Sequence, residues 1–199
     1  MYHDWPEMTA LIGSRICHDL IGPLGAVGNG LELLVMSGIE PSPELSLIGE
    51  SIETANAKIR FFRVAYGNAP AGSTIAQPEI RSVLDGYFAH SRLELVWHPS
   101  REVARREAKL LFLALQCIEN ALPHGGHIDV HHTGDGWELL ADGEKRRAEP
   151  HLWELLDGQR IEQHVSASQV QFALLAALTR RRNPALRVDI AKTRLRIRL

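Results

Sequence analysis

The chain has 199 residues, 45% of them hydrophobic, and a formal net charge of -2. That length suits one or two domains with a real core, and the apolar content excludes disorder as the starting assumption. The near-neutral charge argues against a general nucleic-acid binder. MYHDWPEM at the N-terminus has no basic region and no apolar run, so no secretory signal is expected. The most apolar stretch, LLFLALQCI (110–118), is too short to span a bilayer. Cys17 and Cys117 are the only cysteines and read as reduced thiols. A cytoplasmic protein without membrane contact is the expectation.

In chain order, residues 7–37 read as a long helix. Its large apolar residues Ile12, Ile16, Leu20, Leu24, Val27, Leu31 and Leu34 recur every three or four positions. SGIEPSP (37–43) is a turn by its glycine and two prolines. A second helix over 44–67 carries the stripe Leu45, Ile48, Ile52, Ala55, Ile59, Phe62. The short turn makes the pair an antiparallel hairpin with heptad-like seams. Two helices bury such seams poorly alone. A second copy would complete a four-helix bundle, so a homodimer is expected.

GNAPAGST (67–74) has linker composition, and the boundary is placed at residues 69–77. Beyond it the pattern becomes mixed. Helices are expected at 78–91, 108–122 and 166–181. Strands are expected at LELVW (93–97), at HIDVHHT and WELLADG around a Gly-Asp-Gly turn, and at ALRVDIA and RLRIRL. A sheet covered by helices, over 78–199, follows. The fold class is α+β: a hairpin over 1–68, then an α/β sandwich.

The segment SRICHDLIGPLGAVGNGLELL (14–34) draws attention within the first helix. Its glycines each cost roughly 0.5–1 kcal/mol against alanine in a helix interior. Pro23 lacks an N–H, so the Asp19 carbonyl loses its helical donor and a kink is expected. His18 points nearly opposite to Ile16 and Leu20 on a helical wheel, so it faces water if that stripe is buried. Its wheel neighbours are Leu11, Ser14, Arg15, Ile21, Gly22 and Gly25, a largely small and polar surface that a large partner can approach. A surface histidine beside an aspartate is also ordinary, and proline and glycines also shape bundle packing.

HDLIGPLGAVGNGLELL resembles the phosphoacceptor helix of sensor histidine kinases. With SRICHDL and GLELL it resembles more closely the ChpT-type histidine phosphotransferases of bacterial phosphorelays. The resemblance implies that the hairpin dimerises, that His18 is the phosphoacceptor, and that Asp19 is the adjacent acid. It matches Arg15 to the motif arginine and Pro23 to the kink proline. The residue types suit that chemistry. A neutral imidazole is a nucleophile, and a carboxylate holding one ring nitrogen as N–H leaves the other free to attack. Arg15 is either a solvated side chain or a contact for phosphate or an acidic receiver surface. Ser14, Ile21, Gly22 and Gly25 are expected to border the partner. Receiver domains of a hybrid kinase and of response regulators are the implied partners, and they would supply magnesium.

The resemblance extends to a degenerate kinase-type ATPase domain. Asn120 in CIENALPHGG matches the asparagine that helps bind magnesium, with Glu119 before it and Gln116 where kinases often carry another asparagine. Asp142 and Gly143 in ADGEKRRAEP match the adenine-binding box, but the alternating glycines are missing. DGQRIEQHVSASQV offers one glycine, Gly158, and no phosphate loop. Asn120 and Asp142 are therefore expected to be vestigial, with no cofactor bound by this chain. His124, His127, His131 and His132 cluster in sequence, yet His131 and His132 point to opposite faces of a strand, so no metal site is expected. The runs Lys145–Arg147 and Arg180–Arg182 read as solvated. The reading is a histidine phosphotransferase relaying a phosphoryl group between receiver aspartates through His18. The alternatives are an ATP-dependent histidine kinase and a non-catalytic dimeric adaptor.

Overall fold

The computed structural model describes residues 5–40, 42–143, 149–158, 165–180, 186–191 and 193–199. The Lys145–Arg147 run, Arg181 and Arg182, and residues 159–164 lie outside these. The chain divides into two units, Met1–Ala69 and Pro70–Leu199.

The first unit is a pair of helices, α1 (Trp5–Met36) and α2 (Pro43–Ala65). Local chemistry sets the ends between them. Gly38 takes φ 90°, a left-handed value that suits glycine. Ile39 N–H then reaches the Leu34 carbonyl at 3.3 Å and Gly38 N–H the Val35 carbonyl at 3.1 Å, which is a Schellman closure. Ser42 caps α2 by accepting from Leu45 N–H at 3.3 Å, and Pro43 follows at the first helical position.

The interface between these helices is not the stripe of large residues. On α1 the buried positions are Ala10 and Cys17, while Gly13, Ser14, Ile21, Leu24, Gly28 and Leu31 are half-buried. A Cβ at Gly13 would lie 2.8 Å from the Tyr66 carbonyl oxygen, and one at Gly28 would lie 3.5 Å from Ile52 Cγ2. Small residues thus let the backbones approach. Ile12, Ile16, Leu20, Val27 and Leu34 point elsewhere, with 53%, 54%, 46%, 53% and 44% exposure within one chain. Only Leu24 and Leu31 of the expected α1 stripe are turned toward α2. On α2, Ile52 and Ile59 are buried as expected, whereas Ile48 is exposed. Helix α1 continues through Pro23. By length and composition it, rather than 110–118, is sufficient to cross a membrane.

The second unit begins with β1 (Thr74–Ile75), which lies inside the expected linker. It continues with α3 (Gln77–Phe88), β2 (Leu93–Trp97), β3 (Val103–Ala104), α4 (Arg105–Ala121), β4 (Gly126–Thr133) and β5 (Gly136–Asp142). Helices α5 (Pro150–Leu156) and α6 (Val170–Thr179) and strands β6 (Arg187–Ile190) and β7 (Arg194–Arg198) complete it. The sequence reading has no counterpart of β1, β3 or α5. Strands β1 and β3 pair antiparallel. The main sheet has five strands in the order β2-β4-β5-β7-β6, with β2 and β4 parallel and the other neighbours antiparallel.

One face of this sheet is apolar. Ile128 and Val130, Leu139 and Ala141, and Leu195 and Ile197 are at most 1% exposed. Helix α4 is apolar around its whole girth, with Leu110 to Leu115 all buried, as a core helix must be. It packs against α6, which packs against α5. The alternate residues form the opposite, polar face: Glu94 and Val96, then His127, Asp129 and His131, then Glu138 and Asp142, then Arg194, Arg196 and Arg198. This is the expected α+β arrangement of a helical hairpin followed by a helix-covered sheet.

Candidate functional site

On α1, Arg15, His18 and Asp19 fall on one side of two consecutive turns. Arg15 Nε donates to Asp19 Oδ2 at 2.7 Å, across the i, i+4 spacing. The other carboxylate oxygen, Oδ1, lies 3.1 Å from His18 Nδ1. The hydrogen bond from His18, assisted by Arg15, holds the Asp19 carboxyl below the usual carboxylate range. An ionised carboxylate only accepts, so Nδ1 carries a proton, and in the neutral imidazole Nε2 is then the nitrogen with the free lone pair. The His18 side chain is 85% exposed, so Nε2 faces solvent.

The surroundings differ in part from the wheel. Gly22, one turn after His18, is exposed, and a Cβ there would meet no atom within 4 Å. Gly25 is half-buried with the same open space. Ser14 and Ile21 lie on the flank turned to α2 and are half-buried. Ser14 Oγ accepts from Asn68 N–H at 2.7 Å, so that hydroxyl helps hold the end of the hairpin. Arg15 is neither simply solvated nor free, because its Nε is committed to Asp19. Cys17, adjacent to the histidine, is buried toward α2, where burial raises its thiol pKa and Arg63 partly offsets the rise.

Residues 77–194 match the family model described as the histidine phosphotransferase C-terminal domain. Protein phosphotransferase ChpT of Brucella abortus (strain 2308) is 34% identical over 179 residues, covering 86% of this chain and 85% of that protein. The chain belongs to the histidine phosphotransferase family. A solved bacterial phosphotransferase structure superposes with a TM-score of 0.67 and 26% identity, over 99% of this chain and 97% of that one. The protein is therefore a transferase of the phosphorelay type, a class whose partners are receiver domains.

Within this histidine phosphotransferase the kinase-like residues of the second unit lie at the end of α4 and at the end of β5. Asn120 lies in the last turn of α4, in the helix layer. Asp142 ends β5 on the opposite, polar face, where Arg194 Nε contacts its Oδ1 at 3.2 Å. Glu119 accepts from the Tyr87 hydroxyl at 2.9 Å. Gly143 packs against the β4 entry, where a Cβ would lie 2.7 Å from the Gly125 carbonyl oxygen. Its role is close backbone packing. Residues 144–148 and 159–164 of the boxes compared with kinases lie outside the described residues.

The sequence did not show the polar cluster built by His98. The ring of His98 stacks on His131 with centroids 4.2 Å apart and planes 10° from parallel. Thirty-odd residues separate His98 from β4, so only the strand register reveals the pairing. As expected, His132 points away from His131, edge-on to Trp137 at 4.7 Å.

Proposed function

We propose that His18 accepts the phosphoryl group from one receiver domain and delivers it to another. The observation that carries this is the Arg15–Asp19–His18 chain, which fixes one ring nitrogen as a donor and leaves the other nucleophilic in open solvent. The Nε2 lone pair attacks the phosphorus of a receiver's aspartyl phosphate in line. The N–P bond forms as the P–O bond to the receiver carboxylate breaks, and that carboxylate leaves as the anion. The ring gains positive character, which Asp19 stabilises through Nδ1–H. The Asp19 contact engages Arg15 through Nε, so the terminal guanidinium N–H groups remain for phosphoryl oxygens. Delivery reverses these steps on a second receiver's aspartate. Magnesium held by the receiver would neutralise phosphoryl oxygens, and this chain contributes no ligand to it. Positioning of nucleophile and phosphorus is most of the catalysis.

The same reading takes the protein as a cytoplasmic homodimer outside the membrane. The row Ile12, Ile16, Leu20, Val27 and Leu34 is an apolar face left open by α2, suited to the same face of a second copy. Helix α2 carries exposed Glu50, Glu53, Lys58, Arg60 and Arg63, charges that are costly in lipid, which favours a hairpin in water. Val27→Glu, on that face and about two and a half turns along the helix from His18, is expected to convert dimer to folded monomer in light scattering. An unchanged dimer mass would move the interface elsewhere.

The missing glycine-rich phosphate loop supports transfer without ATP. The test is incubation of the full chain with a receiver phosphorylated on aspartate. The expected product carries an acid-labile phosphoryl group on His18. Labelling from ATP alone would establish a kinase instead, and complex formation without label would establish an adaptor.

A further inference from the structure

We infer that the open face of the second unit carries a site for a divalent transition-metal ion of the zinc class, with His98, Asp129 and His131 as ligands. Strand β4 places His127, Asp129 and His131 at alternate positions, hence on one face, while Ile128 and Val130 fill the core. Strand β2 runs parallel beside it with Val96 opposite Asp129, and His98 N–H donates to the Val130 carbonyl at 3.1 Å. That register sets the His98 ring against the His131 ring. The ligand atoms of His98, Asp129 and His131 all lie within 4.8 Å of one another. His98 Nε2 is 2.6 Å from Asp129 Oδ1, and His127 Nε2 is 3.0 Å from Asp129 Oδ2.

The rest of this face makes the cluster distinctive. Asp142, Glu138 and Asp189 on it are matched by the guanidinium groups of Arg194, Arg196 and Arg198. Asp129 is instead met by two imidazoles, His98 and His127, with Glu94 3.7 Å from the other His127 nitrogen. Two imidazole nitrogens and one carboxylate oxygen are the donor set of zinc, copper and nickel, whereas calcium and magnesium take oxygen. Zinc bonds of about 2.0–2.1 Å at tetrahedral angles place ligand atoms about 3.3 Å apart. To reach that spacing the His98 and His131 rings, now stacked 4.2 Å apart, turn out of their stack so that both lone pairs meet at one point. His98 would bind through Nε2 as its Nδ1–H tautomer, so the proton now shared with Asp129 moves to Nδ1 through solvent. His127 would keep its bond to Oδ2 and orient the carboxylate, as partners of metal ligands do. The ion would pin β2, at the edge of the sheet, to β4.

Calorimetric titration of the full chain with zinc chloride in a non-chelating buffer near pH 7.5 tests this. One equivalent is expected to bind and to raise the melting temperature, since an ion bound only by the native state stabilises it. His98→Gln and His131→Gln are each expected to weaken binding at least about tenfold, and His18→Gln is expected to leave it unchanged. Melting without zinc checks that the variants fold, as substitutions at these surface positions allow. Acidification to pH 5.5 is expected to weaken binding, because protons compete for the imidazoles. Absence of saturable binding overturns the site. So does affinity that survives in the His98→Gln, His131→Gln double variant.

Discussion

Replacing His18 with glutamine is expected to abolish phosphoryl acceptance from a phosphorylated receiver and to leave the melting temperature and the oligomeric mass unchanged. The side chain is 85% exposed, and its contact is with the neighbouring Asp19. Removing it opens no cavity and breaks no buried bond. Substitutions at such surface positions usually stay within about 0.5 kcal/mol. The Arg15–Asp19 pair survives in the variant, and as an exposed pair it contributes little to stability in either protein. The chemical loss is total for a different reason. An amide nitrogen delocalises its lone pair into the carbonyl, so glutamine keeps a donor for Asp19 but offers no nucleophile to phosphorus. Acid-stability mapping and intact mass after incubation with the donor receiver give the readout. A phosphoryl group found on any other residue of the variant ends the assignment of His18.

What the sequence made legible, and what it concealed, follows from size and distance along the chain. The hairpin boundary at residues 37–43 was readable because Gly38, Ser42 and Pro43 act on their immediate neighbours. The face by which α1 meets α2 was not. Pattern reading weights large apolar side chains, and those of α1 form the open face. The contact is made by Ala10, Gly13, Ser14, Cys17 and Gly28, which let the helices come close, together with Leu24 and Leu31. Ser14 and Ile21, expected to border the partner, are for the same reason turned in part toward α2. The His18–Asp19 contact was foreseeable as adjacency, but the part of Arg15 in fixing Asp19 required side-chain geometry. The grouping of His98 with Asp129 depends on the parallel register of β2 and β4, which no local pattern encodes. Strands of two residues, such as β1 and β3, leave no periodic trace.

Gly22→Arg is expected to keep the fold and the oligomeric mass but to slow transfer from a phosphorylated receiver by about a hundredfold or more. Position 22 lies one turn beyond His18, about 5–6 Å away on the same exposed side. Transfer requires the aspartyl phosphate within about 3–3.5 Å of Nε2, so the receiver's backbone must pass over Gly22. Misplacement of about 1 Å at such a centre costs on the order of a hundredfold in rate, and an arginine side chain imposes more. Two local effects on stability oppose each other. Replacing a helical glycine gains about 0.5–1 kcal/mol. A Cβ on the residue before Pro23 clashes with the proline ring in helical backbone, which glycine avoids. Open space within 4 Å of the site leaves no tertiary clash to add. The net change in melting temperature should be small. Gly22→Ala separates the causes, because it carries the same clash with Pro23 but little bulk, and it should transfer at close to the parent rate. An arginine attracts an acidic receiver surface, so a loss of rate in Gly22→Arg reports steric exclusion rather than charge. Single-turnover transfer measured for the three proteins decides the matter. Parent-like rates in the arginine variant mean that the receiver reaches His18 from the Leu11 side of the helix.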